Sequence, residues 1–299
     1  MSTPDHRPAR RRSLPLAALC LGLALAAAPT AAQESGSAAP QQAPGQRLVL
    51  GYDLYSSGFL MASFQADVYA WPDRYDILLN GETRGILSLL GDWTATMRAT
   101  GALDRAAEQL TPDGWAFQVD ADGDLATRTI QYDGEGHAYA TLEPPRPGLP
   151  PVPHADLEGA LDPLSAIVGA AMVTDGEHCP PRQRIFDGTR RFDIAFLRIR
   201  PTTIDGSSVG GYSGFAVECE ARIIPVSGHF RDPSSSSFWR YNRPDDDPGR
   251  MAMRVWFAAL TEGGPPVLVR GERRGQFGNF YLHLVARTIT PLVSTAEQR

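Results

Sequence analysis

His178 and Cys179 are adjacent, and a thiol beside an imidazole is the pairing from which a thiolate nucleophile is made. Neighbours on an extended strand point to opposite faces, however, and Cys219 offers a partner that would consume the thiol as a disulfide. The run from Cys179 to Phe196 adds Asp187, Asp193, Arg182, Arg184, Arg190 and Arg191. Within it Asp187-Gly188 reads as a tight turn between a strand from Gln183 to Phe186 and another from Arg191 to Arg198, the two turn residues supplying positive φ. Alternation sends Phe192, Ile194 and Phe196 to one face and Arg191, Asp193 and Ala195 to the other. The charges are therefore expected on the solvated side, where an Arg191–Asp193 pair is worth under about 1 kcal/mol. The stretch reads as scaffold.

Other constellations fall short of chemistry. In GGYSGF, Gly211, Ser213 and Gly214 imitate a nucleophile elbow, but Phe215 stands where that motif needs glycine, and a strand follows where it needs a helix. Asp120, Asp122 and Asp124 carry the opening spacing of a calcium loop. Leu125 replaces its glycine and Gln131 its bidentate glutamate, which leaves a polar hairpin turn. His137, His154, His178, His229 and His283 show no paired spacing for a transition metal, and glycine-rich phosphate loops are absent. No catalytic residue, metal ligand or cofactor is expected.

The chain opens with Arg7, Arg10, Arg11 and Arg12, an apolar run from Leu14 to Pro29, and Thr30-Ala31-Ala32. These are the three regions of a secretory signal peptide over residues 1–32, cut near Ala32, for export to the periplasm or envelope; the run is too short to anchor in a bilayer. Removing it takes four arginines and Asp5 from a chain of net charge −6 and leaves −9, which disfavours nucleic acid and anionic membrane surfaces. In an oxidising compartment the two remaining cysteines, Cys179 and Cys219, are expected to bond, closing a 40-residue loop worth about 4 kcal/mol.

Behind these residues lies a period of two. After a linker over 33–46, alternation begins with Leu48, Leu50, Tyr52 and Leu54 and recurs through Trp115, Phe117 and Val119. It returns in Phe215 to Ile223, Met251 to Phe257 and Phe280 to Ala286, the signature of half-buried antiparallel strands. Prolines from Pro144 to Pro153 read as an extended crossing loop. Asp162 then caps one helix, about 162–173, with Pro163 at its first position and Leu164, Ile167, Val168 and Ala171 along its apolar face. One β-rich domain is expected over 47–290, with a polar loop at 231–250 and a tail over 291–299.

Tyr52 and Gly58, RTIQYDGEG ahead of the proline-rich stretch, DPLSAI, and the IFDGTRRFD run between two cysteines resemble an exported bacterial family, domain of unknown function 3108. The resemblance spans about 48–288. It implies an envelope protein of unestablished activity whose fold is mainly β, a curved antiparallel sheet or half-open barrel wrapped around one α-helix, similar to the lipoprotein-carrier half-barrels. The family carries no accepted catalytic residues. Asp162, Pro163, Asp187, Gly188, Arg191, Asp193 and the cysteines match its signature and are read as cap, turn, pair or bridge. Such a sheet implies a non-enzymatic protein that binds a lipid-like molecule in its concave face, with Trp93, Met97, Trp115, Met253 and Phe257 as lining. A structural or interaction role in the envelope is the alternative, and an unrecognised hydrolase the third.

Overall fold

Two meanders of antiparallel strands meet in the middle of one sheet. The computed structural model describes residues 45–85, 88, 91–172, 178–206, 211–230, 252–275 and 278–292, all within one compact unit, Gln42–Arg299. The expected signal peptide, most of the linker, Val173, Met251, the 231–250 loop and the tail beyond 292 lie outside the described residues.

The first meander runs through β1 (Gln46–Ser56), β2 (Phe59–Ala70), β3 (Arg74–Thr83), β4 (Trp93–Asp104), β5 (Gln109–Ala121), β6 (Asp124–Tyr132) and β7 (Ala138–Glu143). The second runs through β8 (Gln183–Phe186), β9 (Arg190–Ile204), β10 (Gly214–Gly228), β11 (Ala252–Ala259), β12 (Pro266–Gly275) and β13 (Gly278–Pro291). β1 pairs with both β2 and β13, so the 13-stranded order is β7-β6-β5-β4-β3-β2-β1-β13-β12-β11-β10-β9-β8. Consecutive strands are neighbours throughout except for β7 and β8, which form the two edges.

The segment between those edges holds α1 (His154–Leu157) and α2 (Pro163–Met172). α2 touches β4 and β5 near one end of the sheet and β8 at the other, which requires the sheet to curl around it. The helix buries two sides. Leu164, Val168 and Met172 join Tyr75, Ile77, Trp115 and Ile130, while Ala166 joins Ile185, Phe192 and Ile223. Ile167, expected on the apolar face, is 62% exposed, because the helix is gripped from both flanks and its remaining side points outward.

The start of α2 is anchored by buried polar groups. Asp162 Oδ1 accepts the Leu164 and Ser165 N–H groups at 3.0 and 2.9 Å, an N-cap that satisfies helix donors left without intrahelical partners. Asp162 N–H donates to Tyr132 Oη at 2.8 Å, and the Tyr75 and Ser165 hydroxyls share a 2.6 Å hydrogen bond. Desolvation raises the Asp162 carboxyl and both tyrosine hydroxyls above their ordinary pKa values.

The charges of the IFDGTRRFD run are not on a solvated face. Arg191 is 2% exposed and Asp193 4%. Alternation implies a wet face only where one side of a sheet is uncovered, and here consecutive residues are buried, Arg190 to Asp193 at the start of β9 and Ala216 to Cys219 on β10. Trp256 packs with Leu48, Leu50 and Leu284, whereas its neighbours Val255 and Phe257 pack with Val217 and Cys219. Asp193 is held by Arg182 Nε at 2.7 Å and Arg191 Nη1 at 2.5 Å. Burial pushes the Asp193 carboxyl up, but those hydrogen bonds and charges outweigh it and hold the group below the ordinary carboxylate range. Glu218, 1% exposed, is likewise paired, with Arg254 and Arg200.

The turn differs from the expectation in detail. It spans Asp187 to Arg190, with Gly188 at φ +89° and Asp187 outside the left-handed region. Asp187 closes it from the first position, its Oδ1 accepting Thr189 N–H, Thr189 Oγ1–H and Arg190 N–H at 2.8–3.0 Å. Cys179 and Cys219 are at disulfide distance, with sulfurs 2.01 Å apart, and so join the approach to edge strand β8 to β10.

Candidate functional site

Six prolines after β7 (Pro144, Pro145, Pro147, Pro150, Pro151 and Pro153) lack the N–H a ladder requires, so the first meander stops there and leaves an open edge. Asp133 N–H donates to the His137 carbonyl at 3.0 Å, which sets the hydrogen-bond phase of the β6–β7 pair. Tyr139, Thr141 and Glu143 therefore turn their backbone groups to β6, and Ala138, Ala140 and Leu142 turn theirs to the free edge.

The β8–β9 turn stands across from this edge. A side chain at Gly188 would meet the Ala140 Cβ at 3.7 Å and the Arg128 stem at 3.9 Å. Asp187 Oδ2 lies 3.9 Å from Arg128 on β6 and 3.7 Å from Arg190 on β9, so one carboxylate faces guanidinium groups from both ends of the sheet. Arg191, from the same run, donates to the Asp156 carbonyl of α1 at 2.9 Å.

Between the two edges is a cleft of about 320 Å³. Its walls are Ala138, Tyr139, Ala140 and Leu142 of β7, Phe186, Gly188 and Thr189 of the opposite edge, and the crossing segment through Arg146, Leu149, Pro150, Pro151, Val152 and Leu157. A smaller cavity of about 50 Å³ adjoins it, shares Leu142 and Arg146, and adds Phe117, Arg128 and Glu143. Desolvation lowers the Arg128 guanidinium from its ordinary value; Asp187 opposes that shift and the charge of Arg146 adds to it. Near the Tyr139 end, Asp133 accepts N–H bonds from His137 and Glu135, the His137 ring and the Tyr139 hydroxyl. These donors, His137 N–H foremost, hold its carboxyl down to about 2.

The proposed lining residues do not converge here. Trp115 and Met97 belong to the cluster around α2, Met253 and Phe257 pack beside the cysteine pair, and Trp93 lies against Phe64 with ring centroids 6.1 Å apart. They fill separate parts of the interior because strand patterning reports burial, and not which buried face borders a space. Asp162 and Pro163 start the helix, and Asp187, Gly188, Arg191 and Asp193 build the seam. The cleft residues Arg128, Arg146, Leu149 and Val152 were not singled out from the sequence; the one available signal was the proline-rich segment that carries three of them.

Among the described residues no three His, Cys, Asp or Glu side chains gather closely enough to hold a metal ion, and no helix is long and apolar enough to cross a membrane. Asp120 and Asp122 each accept a backbone N–H at the β5–β6 turn, from Gly123 at 2.8 Å and Asp92 at 3.0 Å.

No family model and no curated protein matches the chain, so the resemblance to domain of unknown function 3108 rests on the quoted motifs. Among solved structures it is similar to a β-barrel-like protein of domain of unknown function 1849 from Brucella abortus, at 9% identity and a TM-score of 0.48, over 83% of this chain and 99% of that one. What the strands themselves define is a class: a mainly β protein built on one large open antiparallel sheet.

Proposed function

We propose that this is a non-enzymatic exported protein of the cell envelope that binds a lipid-like ligand in the cleft between β7 and β8. The observation that carries the reading is the cleft itself: about 320 Å³, bounded by Leu142, Leu149, Val152, Leu157 and Phe186 where the sheet fails to close. That volume falls at the small end of the roughly 300–1,000 Å³ range of ligand sites, and its apolar walls with few polar groups fit the type. The Cys179–Cys219 pair, at disulfide distance, accords with a compartment outside the cytoplasm, as does the basic and apolar start of the chain. The polar groups most suggestive of chemistry are engaged: Asp162 in a cap, Asp187 in a turn, Asp193 and Glu218 in buried pairs.

Filling the cleft tests this. Val152→Trp should abolish calorimetric binding of dodecanol while leaving the melting temperature within a few degrees of wild type, and mass spectrometry of organic extracts should find an apolar molecule with the wild-type protein only. Dodecanol bound equally by both proteins would place the ligand elsewhere.

A second reading rests on the outer edge of β7, which pairs with no strand among the described residues and where Ala138, Ala140 and Leu142 present backbone donors and acceptors. An open edge accepts an added strand, so a protein-interaction role in the envelope would use the same border.

A further inference from the structure

Two guanidinium groups enter the seam. Arg146 lines both the cleft and the adjoining cavity, and Arg128 lines the cavity, its side chain 23% exposed. They lie near enough for the charge of Arg146 to act on Arg128, an unfavourable juxtaposition unless an anion stands between. Asp187 opposes that charge on Arg128 from across the seam, but without a hydrogen bond to it. Asp187 commits Oδ1 to three donors of its own turn, and its Oδ2 stops 3.9 Å from Arg128, beyond hydrogen-bond length. Glu143 lines the cavity but is exposed to solvent. On its other side Arg128 lies 5.9 Å from the centre of the Phe117 ring. A planar guanidinium fork, half out of water, suits a carboxylate or phosphate head. The wall beyond it is apolar.

We infer that the seam cleft takes a single-chain anionic amphiphile, its carboxylate or phosphate head between Arg128 and Arg146 and its tail along Leu142, Leu149, Val152 and Leu157. The inference rests on the ligand reading above and adds the charge and the single chain. A cleft of about 320 Å³ has room for one acyl chain, not for a two-chain phospholipid.

Isothermal titration of the mature protein with laurate, dodecyl phosphate, dodecanol and inorganic phosphate separates the possibilities. Laurate or dodecyl phosphate should bind roughly ten- to a hundredfold more tightly than dodecanol, the value of a charge-assisted hydrogen bond or two, and the tighter of the two identifies the head group. Inorganic phosphate should not compete. Arg146→Gln, on an exposed position, should remove most of the preference for the anion while dodecanol binding persists, and Arg128→Met should do the same if its melting curve stays cooperative. Dodecanol binding as tightly as both anions would overturn the head-group assignment and leave the apolar cleft standing. Inorganic phosphate competing as well as dodecyl phosphate would overturn the tail. Binding of none of the four would remove both this inference and the reading beneath it.

Discussion

Arg191 Nε donates to the Asp156 carbonyl at 2.9 Å, which joins the start of β9 to the short helix of the crossing segment. The same side chain donates from Nη1 to Asp193 and to the Phe192 carbonyl. A residue of an unremarkable basic run thus pins one wall of the cleft to the other edge of the sheet.

Arg191→Met should therefore cost about 3–5 kcal/mol, the usual penalty for removing one partner of a buried pair, because Asp193 would keep only Arg182. Chemical denaturation followed by circular dichroism measures it. A loss below about 1 kcal/mol would show the pair behaving as a surface one.

Asp162 carries a pH dependence of defined sign. Its carboxyl is raised in the folded protein, so the native state holds the proton more tightly than the unfolded chain does. Its contribution is fully present below the ordinary aspartate value of about 3.9 and is lost as pH rises through the folded value. Asp162→Asn keeps a capping oxygen and does not titrate, so its melting temperature should gain on wild type between pH 3 and pH 7. Asp162→Ala, which loses the cap, should fall about 1 kcal/mol below Asn at either pH. Wild type gaining on the Asn variant as pH rises would contradict the sign.

Replacing both Cys179 and Cys219 by Ala should lower stability by about 2–5 kcal/mol. The loss should be local at first: amide exchange in Gln183–Phe186 should quicken while β2 to β4 keep their protection, since the bridge ties the approach to β8 and nothing in the first meander. Uniform loss of protection would show that the bridge supports the whole sheet.

Much of this fold was legible in the sequence. Leu48, Leu50, Phe117 and Ile130 alternate as strands must, Asp162-Pro163 marks the helix start, and the proline run announces the break in the sheet. The sequence did not show which strands become edges. That β7 and β8 face each other follows from β1 pairing with β13, a contact between the two extremes of the described chain that no local pattern encodes. The misplacement of Arg191 and Asp193 has the same origin, because alternation cannot tell a strand covered on one face from one covered on both. Arg128 and Arg146 are likewise ordinary in sequence. The β6–β7 pairing, which sets Arg128 opposite Leu142, brings them to one cavity, and the curl adds Asp187 from the far edge.

The pairing of β1 with β13 reaches beyond the strands: Leu292 N–H donates to the Gly45 carbonyl at 2.7 Å, so the described chain enters and leaves at one rim. A short splice between those ends would leave every ladder intact, and new termini opened at Asp122-Gly123 would turn the molecule into a circular permutant with its seam untouched. By the same geometry, a tether joined at Gly45 or at Leu292 would suspend the sheet from its midline and put no load on the rift between its edges.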